Sequence, residues 1–176
     1  ISENPSMKNR LIFIFLCALA SIGTMPNLYA QPTKPKVNAI FLDLGGPGGL
    51  ASINYEQKLF ELLHIQVYAQ VGLSTYKIID FTRKFNPDII VPMGLMFTSQ
   101  DKKFQPIISI GSTYSNSVHA TPYGKTRDAH LHMWSKIGYR YNFNDSPIYL
   151  QASYVSIREQ EVGHRNWGGI SIGYKI

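Results

Sequence analysis

Cysteine is almost absent: Cys17 is the only one in 176 residues. A disulfide framework is therefore excluded, and so is a zinc site built on thiolates. Charge is sparse as well, with Asp, Glu, Lys and Arg making up 16% of the chain. The 17 basic side chains exceed the 11 acidic ones, for a net +6, but they are scattered and form no run. A nucleic-acid-binding stripe is missing, and no nucleic acid is expected as a partner. Apolar residues reach 44% and mean hydropathy is −0.09, which excludes a disordered tail. What the chain does have is 11 Tyr, 9 Phe, 14 Gly and 10 Pro, a strand-and-turn composition.

Residues Ile1–Ser6 read as upstream sequence outside the folded protein. From Met7 to Ala30 the chain reads as an export signal. Lys8 and Arg10 supply its positive start, Leu11–Gly23 its apolar stretch, and Leu28-Tyr29-Ala30 a small residue at the cleavage position. That stretch is shorter than the ~20 residues a membrane-spanning helix needs. Leu16 precedes Cys17 where a lipoprotein signal wants a small residue. The exported chain, Gln31–Ile176, carries about +5 and no cysteine. Residues 31–36 (QPTKPK) form a Pro-rich periplasmic lead, and 37–176 the folded domain.

After the lead, no segment shows a helical period, and the dominant period is two. Ile65, Val67, Ala69, Val71 and Leu73 alternate with Gln66, Tyr68, Gln70, Gly72 and Ser74. Met133, Ile137, Tyr139, Tyr141 and Phe143 alternate with His132, Lys136, Gly138, Arg140 and Asn142. Ile170, Ile172, Tyr174 and Ile176 do the same against Gly169, Ser171, Gly173 and Lys175. The spacing predicts an all-β protein with eight strands, near 37–46, 50–60, 64–75, 89–98, 105–114, 129–143, 147–158 and 167–176. Glu61–Leu63, Ser99–Phe104 and Asn144–Ser146 are short connections, whereas Tyr76–Asp88, Ser115–Asp128 and Glu159–Asn166 are longer. Gly45-Gly46-Pro47-Gly48-Gly49 reads as a tight turn on the long-loop side. It lacks the Lys and Ser/Thr of a phosphate-cradling loop, and no helix follows it.

Alternation alone does not separate a soluble barrel from a membrane one; the second face decides. Here it holds Gly, Ser, Gln and charges of both signs: Asp43, Glu56, Lys136, Arg140 and Lys175. Small residues and mixed charges suit an eight-stranded interior, which is filled by side chains. The five charges are expected to form a lumenal network, with Glu56 reaching Arg140 or Lys136 across the barrel. The other face is nearly uncharged in mid-strand and carries Tyr and Phe towards the ends, as an aromatic girdle does. The final strand ends on Tyr174 and Ile176, which resembles the C-terminal insertion signal of outer-membrane barrels, although a terminal Phe is commoner.

With the export signal and the opening strands Asn38–Gly46 and Ser52–Glu56, the exported chain resembles the small eight-stranded outer-membrane β-barrel proteins of Gram-negative bacteria. The resemblance implies an antiparallel transmembrane barrel with short periplasmic turns and longer extracellular loops. It also implies a lipid bilayer as surroundings, the barrel-assembly machinery as a partner during insertion, and no cofactor. Its motifs specify a fold more than an activity.

Candidate chemistry is thin. His130 and His132 share one face of a strand, without an obvious third metal ligand; His119 and His164 fall in the longer connections. Lipid A deacylases on this scaffold carry a His-x-Ser-Asn arrangement, which neither His119-Ala120-Thr121 nor His132-Met133-Trp134-Ser135 reproduces. The leading expectation is a non-enzymatic envelope or surface barrel with a filled lumen. The alternatives are a lipid-modifying enzyme on the same scaffold, or a secreted soluble lipocalin-like carrier.

Overall fold

The computed structural model describes residues 38–79, 83–100, 103–122, 124–144, 146–159 and 163–176, with the backbone alone for 119–121 and 159. The upstream residues, the expected export signal and the Pro-rich lead lie outside the described residues. Eight strands follow in order: β1 (Asn38–Gly46), β2 (Gly49–Leu62), β3 (Ile65–Leu73), β4 (Ile89–Ser99), β5 (Phe104–Thr121), β6 (Gly124–Asn142), β7 (Ile148–Glu159) and β8 (Gly163–Lys175). Each pairs antiparallel with the next, and β1 closes on β8 through Ile40↔Tyr174, Leu42↔Ile172 and Leu44↔Ile170. Closure leaves no sheet edge, which is what a β-structure in lipid requires, since no water is there to satisfy free amides and carbonyls.

The faces divide as the period of two dictates. Ile40, Leu42 and Leu44 of β1 point outward, as do Ile108 and Ile110 of β5 and Ile170, Ile172 and Tyr174 of β8. On β6 the outward positions from Leu131 to Tyr139 are Leu, Met, Ser, Ile and Tyr, without a charge. An apolar belt of this extent far exceeds the patches a soluble monomer exposes. At the periplasmic end Tyr141 packs between Phe104 and Phe143, with ring centroids 4.9 and 5.0 Å away, and Lys103 sits 5.4 Å from its ring. Aromatic rings with a neighbouring cation suit the headgroup level of a bilayer.

Two connections differ from expectation. Residues 115–128 are not a loop: β5 and β6 continue as a paired ladder to Thr121↔Gly124. Likewise β7 and β8 run on to Glu159↔Gly163. Beyond the bilayer both sides of a hairpin face water, so these stretches lost the apolar alternation that marks a strand. The turn between β2 and β3 falls at Leu63-His64, where φ is +48° and +70°. Both central residues are left-handed, the geometry that lets a two-residue hairpin follow the strand twist. A bulge between Lys58 and Phe60 precedes it. The connection over 74–88 is a long one, as expected.

Candidate functional site: a filled and charged lumen

The inward positions of β2, β6, β7, β8 and β1 bring together the polar groups of the barrel interior. Glu56 on β2 accepts two parallel hydrogen bonds from the Arg140 guanidinium on β6, both 2.8 Å. Gln70 on β3 donates to the same carboxylate at 3.1 Å. The Arg140 guanidinium lies 4.1 Å from the Tyr149 ring centroid, and its Nη2 donates to Gln151 Oε1 at 3.3 Å. Gln151 Nε2 donates to Ser171 Oγ at 3.4 Å, and Ser171 Oγ donates to Asp43 Oδ1 at 2.9 Å. Asp43 in turn faces Lys136 Nζ at 3.7 Å, and Lys136 lies 5.7 Å from the Phe41 ring. The result is one unbroken polar path from Gln70 to Lys136, touching six strands.

Asp43, Glu56, Lys136 and Arg140 are all 2% exposed or less. Charges so buried persist only when paired and hydrogen-bonded, because each loses its hydration. The two ion pairs therefore stand as partners in place of water. Lys175 is half-buried at the periplasmic end, opposite Ala39, which is itself opposite Glu56. Tyr174 and Ile176 point outward, and Ile176 N–H donates to Asn38 O at 2.8 Å, tying the C-terminus to the first strand.

Apolar side chains fill the space around the path. Tyr68, Met96 and Ile107 pack together, as do Ala39, Phe41 and Tyr149, and Trp134 lies with Val155, Ile157 and Trp167. The Tyr149 ring has room because residue 173 opposite it is glycine; a Cβ there would overlap the ring. Above, the glycine-rich turn bends into the mouth, leaving Pro47 and Gly48 buried. Thr113 Oγ1 donates to Pro47 O at 2.9 Å and Trp167 Nε1 to Gly45 O at 2.7 Å. Positive φ at Gly45 (+71°) and Gly49 (+90°) permits the bend. Between this cap and Lys136 lies a cavity of about 10 Å³, roughly the space of one water.

Pairing across strands also joins residues that the sequence left separate. Ser115 Oγ on β5 is 3.1 Å from His132 Nε2 on β6, and the rings of His130 and His132 stack at 6.0 Å. No group of three His, Cys, Asp or Glu able to hold a metal occurs among the described residues. His164 stands exposed near the end of β8; the side chain of His119 is outside the description. Ser171 stands on the inward face that the alternation assigned to it, whereas Gln151 and Tyr149 were not singled out in the sequence, although each occupies an inward position. Their mutual contacts required the register between strands. A charged, filled interior inside an apolar exterior is the reverse of a soluble ligand-carrying barrel, and the lipocalin-like expectation is set aside for that reason.

Neither a protein-family model nor a curated protein matches the chain. Among solved structures it is similar to the N-terminal β-barrel domain of Pseudomonas aeruginosa OprF, with a TM-score of 0.54 at 12% identity over 80% of this chain and 96% of that one. The Yersinia pestis outer membrane protein Ail, in a phospholipid nanodisc, gives a TM-score of 0.51 at 10% identity over 80% and 98%. At such identities the likeness is one of fold. Eight closed strands, an apolar belt and a polar interior make this chain a small transmembrane β-barrel of the outer-membrane type.

Proposed function

We propose that this protein is a non-enzymatic envelope barrel of a Gram-negative outer membrane, working through its outer surface and loops and not through its lumen. The observation that supports this reading is the polar path from Gln70 to Lys136, which fills the lumen with paired side chains beneath the inward turn at Pro47. In this reading residues 7–30 direct export and residues 31–36 lead into the barrel. The strand ending at Tyr174 and Ile176 is what the barrel-assembly machinery takes up. Asp43, Glu56, Lys136 and Arg140 brace the wall from inside, with Lys175 adding charge at the periplasmic end. Reconstitution into planar bilayers is the test: the expected trace lacks porin-sized steps, and stable steps that scale with protein would refute the closed lumen.

The Ser115–His132 pair favours a second reading, a lipid-acting enzyme on the same scaffold. The pair lies on the inward face of β5 and β6, however, while acyl chains of the bilayer lie beyond the wall. Lipid A mass spectra from cells with and without the protein are expected to match. A protein-dependent loss of an acyl chain, abolished by Ser115→Ala, would replace the first reading with the second.

A further inference from the structure

The connection between β3 and β4 exposes apolar side chains at the extracellular end. Ile78, Ile79 and Phe85 are 59%, 58% and 78% exposed. The connection is nonetheless built. Ile79 and Phe85 form an antiparallel bridge, Asn86 N–H donates to Ile78 O at 3.2 Å, and Asp88 N–H donates to Lys77 O at 2.9 Å. Its base is clamped by Arg127 of β6. Nη2 of that residue donates to Asn86 O at 2.6 Å, Nη1 donates to Pro87 O at 3.2 Å, and the guanidinium pairs with Asp88 at 3.3 Å. Arg127 Nη1 also donates to Asn116 O at 3.2 Å, so the clamp ties the base to β5 as well as to β6.

Three cations, Lys77, Arg83 and Lys84, are exposed on the same connection. The sequence from Tyr76 to Asp88 has two acidic residues, Asp80 and Asp88, and Asp88 pairs with Arg127. The apolar belt begins where the connection ends, since outward-facing Ile89 follows Asp88 directly. Apolar side chains next to cations, at the edge of a lipid-facing belt, match what binds a membrane surface: carbon seated at the acyl boundary and ammonium or guanidinium groups on phosphate.

We infer that residues 76–79 and 83–88 form an interfacial anchor. Ile78, Ile79 and Phe85 enter the boundary between headgroups and acyl chains, while Lys77, Arg83 and Lys84 contact lipid phosphates of the outer leaflet. This rests on the membrane-barrel reading, and it adds a second lipid contact beside the strand belt. Continuity with that belt, and cations beside the exposed apolar side chains, favour lipid over a protein partner as the occupant.

The test uses the full chain carrying Cys17→Ser, refolded into phosphatidylcholine vesicles with or without phosphatidylglycerol. An environment-sensitive fluorophore is attached to one cysteine at a time: Phe85→Cys, Ile172→Cys on the belt, or Lys125→Cys near the tip of the β5–β6 hairpin. Headgroup-level nitroxide lipid is expected to quench the Phe85 label but not the Lys125 label, and more strongly with phosphatidylglycerol present. Adding Lys77→Gln, Arg83→Gln and Lys84→Gln should weaken that anionic preference by roughly fivefold per cation. A Phe85 label that stays in water while the Ile172 label reports lipid overturns the inference alone, and leaves the segment facing a soluble partner. Equal quenching at Lys125 overturns the assignment to this segment. An Ile172 label in water brings down the barrel reading and the anchor with it.

Discussion

Breaking the Glu56–Arg140 pair from either side should cost far more than removing it whole. In the folded barrel Arg140 is 2% exposed and Glu56 1%, and they share two hydrogen bonds of 2.8 Å. Glu56→Gln leaves a guanidinium in the lumen beside Gln151, Met96 and the Tyr149 ring but without its carboxylate, at a cost of about 3–5 kcal/mol. Arg140→Gln strands the carboxylate with Gln70 and should cost a similar amount. The double variant carries neither charge, so its loss should fall well short of the sum of the two single losses. The coupling expected between residues in direct contact is roughly 0.5–3 kcal/mol, and a buried bidentate pair belongs at the upper end. Lys136→Gln should couple more strongly to Asp43→Asn than to Glu56→Gln, since its partner is Asp43 at 3.7 Å. The assay is urea unfolding in lipid vesicles followed by fluorescence of Trp134 and Trp167, both within the barrel. Additivity of Glu56→Gln and Arg140→Gln within about 0.5 kcal/mol would refute the pairing and the organisation of the lumen built on it.

Other perturbations test the faces and the backbone. Ile172→Arg places a charge among Leu42 and Leu150 on the lipid side, and should cost roughly 2–4 kcal/mol at the midplane and less near either interface. Ser171→Arg points inward and should fail through crowding against Asp43 and Gln151, with accessibility labelling reporting the opposite face; a reversed labelling pattern would mean a register shifted by one. Gly173→Ala forces the Tyr149 ring aside and should lower the urea midpoint by about 1–3 kcal/mol equivalent, an overpacking cost that Tyr149→Leu relieves in the double variant. Leu63→Asn with His64→Gly keeps both positive φ values without side-chain strain and should stabilise the barrel by about 1 kcal/mol in the same assay; no gain would show that the turn is unstrained.

Most of the wall was legible because lipid writes a simple rule onto it. In mid-strand, nearly every second residue of β1, β6 and β8 is apolar and the intervening residues are small or paired, so the strand count followed from alternation and the choice of outer face from the charges on the second face. The extracellular ends of β5, β6 and β8 were not legible for the converse reason. Ser117, Lys125 and His164 lie where no belt constrains them, and a strand wet on both faces reads as a loop. The short β2–β3 connection was expected at Glu61–Leu63 and falls at Leu63-His64, because its left-handed residues are not the glycine or asparagine that would have marked it. Within the lumen the charged residues could be named, but their pairing depends on tilt and register. Those settle that Arg140 meets Glu56, while Lys136 meets Asp43, and they bring Ser115 beside His132.

The order in which the interior path visits the strands bears on how the barrel assembles. Asp43 belongs to the first strand and Ser171 to the last, and their 2.9 Å bond lies just inside the β1–β8 seam. A partly assembled sheet lacking β8 would leave Asp43 without Ser171, and Gln151 without the hydroxyl that links it onward. The Asp43–Ser171 bond, and the link through it to Gln151, form only when the two ends of the chain meet. Ring closure thus joins the lumenal polar path in the same step that pairs the first strand with the last, and a variant lacking the Ser171 hydroxyl closes without that internal link.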